Sequence, residues 1–147
     1  MAVEFEITVD NSAEVLRQLQ DNCEAALEAC GIQAVSHAQQ NINAAVPRHA
    51  GSWYTSQGEA GLRGSISYQV QDDTCYVGTN NEYAIYNEVG TGIYVEGGGG
   101  RQSPWSYKDD KGNWHRTRGI TPIHFLKKAL AENIKEYRQI IKQYLNG

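Results

Sequence analysis

The chain has no apolar run near the ~18 residues that a membrane-spanning helix needs, so no membrane role is expected. Residues 1–9 lack the basic start and apolar block of a secretory signal and alternate apolar with acidic side chains instead, which predicts synthesis in the cytosol. Cysteine is scarce and odd in number, at three, which does not suit a disulfide framework. Cys23 and Cys30 are seven positions apart on one predicted helix face, about 10 Å along the axis. A disulfide needs Cα atoms within about 7 Å. Both read as small buried apolar residues, as does Cys75 in a predicted strand. Charged residues make up only 20% of the chain against 40% hydrophobic, which excludes a disordered acidic polypeptide. A length of 147 residues fits a single domain, 1–147, with one core.

Motifs for chemistry are also missing. His37, His49, His115 and His124 fall on different predicted elements, and no pair has the three- or four-residue helical spacing that puts two imidazoles on one ion. No metal and no cofactor is expected. The run Gly97-Gly98-Gly99-Gly100 has no strand–glycine–helix context and no lysine followed by a hydroxyl residue, so it reads as a hinge rather than a phosphate cradle. Glu88 and His115 could be imagined as an acid/base pair, but no nucleophile stands in a strained turn beside them. The chain is expected not to be an enzyme.

What is present is periodicity. Val3, Phe5, Ile7 and Val9 alternate with Glu4, Glu6 and Thr8, the pattern of a half-buried strand. Asn11 reads as a helix cap with Glu14 three residues on. Helical spacing then links Leu16, Leu19, Cys23, Ala26, Leu27, Cys30, Val35, Ala38, Ile42 and Ala45, with a kink or short break expected at Gly31 and a stop before Pro47. Residues 48–61 have no period and read as a long loop, in which Trp53 and Tyr54 suggest a docking contact. Leu62, Ile66, Tyr68 and Val70 form a strand that turns at Gln71-Asp72-Asp73 and returns over residues 74–79. A short helix over residues 82–88, with Tyr83, Tyr86 and Val89 on its apolar side, stops at Gly90-Thr91-Gly92. Residues 97–118 form a glycine-hinged aromatic hairpin turning at residues 109–112. Thr121 and Pro122 open a last helix whose apolar stripe includes Phe125, Leu126, Ala129, Leu130, Ile134, Tyr137, Ile141, Tyr144 and Leu145. The predicted class is α+β: a mostly antiparallel sheet packed against a long N-terminal helix and a C-terminal helix, with a projecting hairpin arm.

Charge is uneven. Residues 1–74 carry ten acids against three Lys or Arg, a net of −7; residues 75–147 carry seven acids against ten, a net of +3. Opposite fields on opposite faces suit head-to-tail contacts between identical subunits. The arm concentrates the positive end. Arg101, Lys108, Lys111, Arg116 and Arg118 face only Asp109 and Asp110, and Trp105, Tyr107 and Trp114 lie among them. Trp, Tyr and Arg are enriched in protein interface hot spots. The same residues build single-stranded nucleic-acid sites, so a nucleic-acid-binding module using residues 101–118 is the alternative reading. The overall net charge of −4 argues against that alternative.

In order and spacing, Leu62-Arg63-Gly64-Ser65-Ile66, Val77-Gly78-Thr79-Asn80, Tyr83-Ala84, Tyr86, Glu88 and Gly90-Thr91 resemble the minor tail-component family of lambda-like tailed bacteriophages. Trp105-Ser106-Tyr107, Gly112-Asn113-Trp114, Gly119, Pro122, Phe125-Leu126 and Ala129 continue the likeness, which spans roughly residues 40 to 130. The chain departs from that pattern at Glu59-Ala60-Gly61, where a Thr-Gly pair is usual, and in a longer loop before it. The resemblance implies a virion protein of the neck, the head–tail joint or the completed tail. Such a protein assembles in the host cytoplasm as a homo-oligomeric ring between connector and tail-tube proteins, with DNA passing through the lumen without specific binding. The residues expected to make assembly contacts are Trp53, Tyr54, Arg101, Trp105, Tyr107, Trp114, Arg116 and Arg118.

Overall fold

The computed structural model describes residues 9–45, 61–108 and 112–146. The expected strand over residues 3–9 apart from Val9, all of the expected loop but Gly61, and the tip of the arm at residues 109–111 lie outside the described residues. The class is α+β, as the periodicity predicts: a long N-terminal helix, two antiparallel sheets of two strands each, and a helical C-terminus.

Helix α1 runs from Ser12 to Ala45. Asn11 stands at its cap position, where its carbonyl accepts the Val15 N–H at 3.0 Å. The side chain that caps is Asp10, whose Oδ1 accepts the Ser12 N–H at 3.0 Å. Hydrogen bonds from Ser12, its hydroxyl first and its N–H second, hold the Asp10 carboxyl below its usual range.

The expected break at Gly31 does not occur. The helix is continuous through it, and the glycine serves close packing instead: a Cβ there would lie 2.5 Å from Cδ2 of Tyr68. Ala26, Cys30, Ala34, Ala38 and Ile42 form a ridge at four-residue spacing, buried from end to end. Small side chains along that ridge let the neighbouring elements approach. The expected stripe fails at its N-terminal end, where Val15, Leu16 and Leu19 are exposed and every residue from 11 to 21 faces solvent.

Strands β1 (Ser67–Gln71) and β2 (Thr74–Gly78) pair antiparallel, Ser67 opposite Gly78 and Gln71 opposite Thr74. Asp72 and Asp73 make the two-residue turn with φ of 51° and 58°, the left-handed geometry that matches hairpin twist. Leu62 is not part of the strand, as the alternation suggests; it precedes a 3-10 turn at Arg63–Ser65 and is buried in the core. Tyr68 and Val70, with Cys75 and Val77, take the half-buried positions, and the ribbon packs on α1.

Helix α2 (Ala84–Val89) reverses its expected face: Ala84 and Asn87 are buried, while Tyr83, Ile85 and Tyr86 are exposed. Strands β3 (Trp105–Lys108) and β4 (Trp114–Thr117) form the second ribbon.

The last helix differs from expectation at its start and in its middle. It begins at Phe125 rather than at Pro122, because the Ile123 and His124 N–H groups donate to the carbonyls of Asn87 and Glu88 and hold that stretch against α2. It also divides into α3 (Phe125–Ala131) and α4 (Ile134–Asn146). The Asn133 side chain donates to the Ala129 carbonyl at 3.0 Å, competing for a backbone acceptor of the helix, and the Tyr137 hydroxyl donates to the same oxygen.

The core joins the C-terminal half of α1 to α3 and to the start of the first ribbon: Ala38, Ile42, Ala45, Leu62, Ile66, Ala84, Ile123, Phe125 and Ala129. Helix α4 packs along the middle of α1, where His37 Nε2 and Glu136 Oε2 lie 2.8 Å apart and Cys30 donates to the Tyr137 carbonyl.

Candidate assembly surface

The arm is fastened where it leaves the body. Thr91 donates its N–H to the Ile120 carbonyl at 2.9 Å, its hydroxyl accepts the Ile120 N–H at 2.9 Å, and Ile93 N–H donates to the Arg118 carbonyl. Two glycines make this crossing possible. A Cβ on Gly92 (φ +63°) would overlap the Arg118 carbonyl, and one on Gly119 would overlap the Thr91 carbonyl. Gly97, Gly98 and Gly99 all adopt positive φ, so the run read as a hinge also meets a conformational requirement that other residues satisfy poorly.

Beyond that base the register sorts the side chains onto two faces. Trp105 pairs with Thr117 and Tyr107 with His115, so these four share one face. Ser106 pairs with Arg116 and Lys108 with Trp114 on the other. Tyr107 and His115 stack with ring centroids 5.3 Å apart, and the Arg101 guanidinium lies 5.4 Å over Trp105. On the opposite face Lys108 Nζ stands 6.0 Å over the Trp114 ring. The structure therefore brings Arg101, Trp105 and Tyr107 together and separates them from Trp114 and Arg116; Arg118 sits at the base. Trp53 and Tyr54 lie outside the described residues. Trp114 is 71% exposed, and among the described residues neither strand packs substantially on a helix or on the first ribbon.

A second uncovered surface was missed by periodicity alone. The exposed start of α1, residues 12–21, bears Val15, Leu16 and Leu19 beside Glu14 and Asp21, with Arg17 as the lone base there, and Glu24 and Glu28 follow where the helix enters the body. The arm, residues 97–118, carries Arg101, Lys108, Lys111, Arg116 and Arg118 against Asp109 and Asp110, a net of +3. The molecule thus carries an acidic apolar projection and a basic aromatic one.

The groups considered for chemistry have structural partners. Glu88 accepts the Leu126 N–H at Oε2 and the Lys127 N–H at Oε1, both at 2.9 Å, and so caps α3 from another element. His124, at φ 55° on the α3 cap, faces Glu96, which also meets Lys127. Among the described residues no three His, Cys, Asp or Glu side chains gather as a metal site, and no described helix is long and apolar enough to cross a membrane. Sequence reading missed Asn87, which is fully buried and donates to the Tyr83 carbonyl, while its Oδ1 has no hydrogen-bond partner among the described residues. No protein-family model matches the chain, and no curated protein or solved structure matches it.

Proposed function

We propose that the chain is a structural subunit of a tailed-phage or prophage virion, at the head–tail junction or completing the tail, which acts by oligomeric assembly and not by catalysis. The observation that carries this reading is the pair of oppositely charged projections, each bearing large apolar side chains that nothing in the chain's described residues covers. A monomer gains nothing by exposing Trp114, Leu16 and Leu19, whereas a neighbour of opposite charge would bury them. The resemblance of residues 40 to 130 to the phage tail-component family supplies the setting: a ring of identical subunits between connector and tail-tube proteins, with DNA passing through the lumen. The protein would then reside in the virion after assembly in the host cytoplasm.

The test is the mass of the purified chain by light scattering, with and without Trp105→Ser, Trp114→Ser and Arg116→Glu combined. The expected result is a concentration-dependent oligomer that the triple variant loses while keeping its fold. An unchanged oligomer overturns the role given to the arm. Steeply salt-dependent DNA binding by a monomer, abolished in the double variant Arg116→Ala and Arg118→Ala, would favour the nucleic-acid reading of residues 101–118 instead.

A further inference from the structure

We infer that residues 3–9 of one copy add a third strand to the first ribbon of a neighbouring copy, in the groove between β1 and α1. This rests on the assembly reading and names one contact within it. The groove has a volume of about 480 Å³ and is lined by Ile32, Val35, Ser36, Gln39, Ile66, Ser67 and Tyr68. Those residues come from α1 and from β1 with its lead-in, and none comes from β2, so the groove runs along the side of β1 away from β2. Within the described residues β1 pairs with β2 alone, which leaves its other edge as a template for a strand. The floor is apolar, and Ile32 is 56% exposed there.

The chain holds one segment that matches. Val3, Phe5, Ile7 and Val9 alternate with Glu4, Glu6 and Thr8, which suits a strand with one apolar face on the groove and one acidic face in water. Reach decides which copy supplies it. The segment is tethered at Asn11, and helical rise puts Ile32 about 30 Å and Gln39 about 40 Å from that point. Extended backbone carries Val3 no more than ~27 Å from Asn11 and Phe5 no more than ~20 Å. The strand cannot lie in its own groove. In another copy it can, and the solvent-exposed stretch of α1 over residues 11–21 would hold it about 15 Å clear of the body that it leaves.

The experiment uses two full-length variants. Phe5→Asp damages the strand and leaves the groove; Ile32→Asp damages the groove and leaves the strand. Each alone should keep the wild-type circular dichroism and lose self-association by ~30-fold or more, read by analytical ultracentrifugation. An equal mixture should regain association that neither variant shows alone, because one intact strand–groove pair forms between the two chains. An oligomeric wild type that is indifferent to both substitutions leaves the assembly reading standing and overturns the strand exchange; that is also the result expected if residues 46–60 fill the groove. A mixture that stays monomeric overturns it too. So does a Phe5→Asp chain that unfolds more easily at concentrations where the wild type is monomeric, since the strand would then belong to its own subunit. A wild type that is monomeric throughout removes both readings.

Discussion

The two hairpins are built alike and held differently. Each is a two-stranded antiparallel ribbon, and such a ribbon alone is marginal in water. The first lies on α1, with Tyr68 pressed against Gly31 so closely that no side chain fits between them. The second has no such bed. Its order comes from the register pairs, a Tyr107–His115 stack, cations over its two tryptophans, and a base fastened by Thr91 and two glycines, Gly92 and Gly119. The first ribbon lays Tyr68 against the chain's own helix and leaves only Tyr76 of its aromatics exposed. The other keeps its aromatic surface available to something else.

The largest effect is expected from Gly31→Leu. The side chain would be driven into Tyr68 and towards Cys75 Sγ, 3.0 Å from a Cβ there. Overpacking of this kind should destabilise the fold by about 3 kcal/mol, read as a lowered urea midpoint, while the register of the arm is unaffected. Next in size is Gly92→Ala, which acts on the other ribbon's base. Alanine is strained at φ +63° and overlaps the Arg118 carbonyl, so a loss of about 2 kcal/mol is expected. Its signature is local: amide exchange in β3 and β4 should quicken more than in β1 and β2.

A smaller and graded effect comes from alkaline pH, and it touches only the covered side. Burial pushes the Cys75 thiol up; burial, then the Cys75 and Glu136 charges, push up Cys30. Burial, then Glu136 and Cys30, push the Tyr137 hydroxyl up to about 12. All three favour their neutral forms in the folded state. Their contribution is therefore complete below the ordinary thiol value of 9.0 and is lost as pH climbs towards 12. The unfolding midpoint should fall across that window, and Tyr137→Phe should flatten the portion above the ordinary tyrosine value of 10.0.

Much of this architecture was legible because periodicity reports local geometry. The bounds of α1, the turn at Asp72 and Asp73, and the pairing of the arm all follow from spacing and turn chemistry. What was hidden depends on partners distant in the chain. Pro122 looks like a helix start until the carbonyls of Asn87 and Glu88 are seen to hold residues 123 and 124. Glu88 looks like a candidate acid until it is found capping α3. Asn133 gives no sign, by its position, that it will take the Ala129 carbonyl and divide a helix. The tyrosines of α2 illustrate the same limit: a segment of six residues has too few turns to show which face is inward, and Ala84 and Asn87 won it. For the assembly surface, composition marked the arm, but only the register separated Trp105 and Tyr107 from Trp114 and Arg116.

The smallest expected effect on folding is the most telling about purpose. Trp114→Ala removes the largest side-chain type from a site that is 71% exposed and touches Lys108 across 6.0 Å. An exposed cation–π contact is worth about 0.5 kcal/mol, so the unfolding midpoint should hardly move. A core aromatic of similar size would instead cost about 3–5 kcal/mol on truncation, and Phe125→Ala in the same background supplies that reference. If Trp114→Ala matches Phe125→Ala, the arm is packed on its own body in solution and the contrast between the ribbons collapses. If it leaves stability intact and weakens self-association tenfold or more, measured by sedimentation, the tryptophan is kept for a neighbour, because a large apolar ring held in water has no stabilising role within its own subunit.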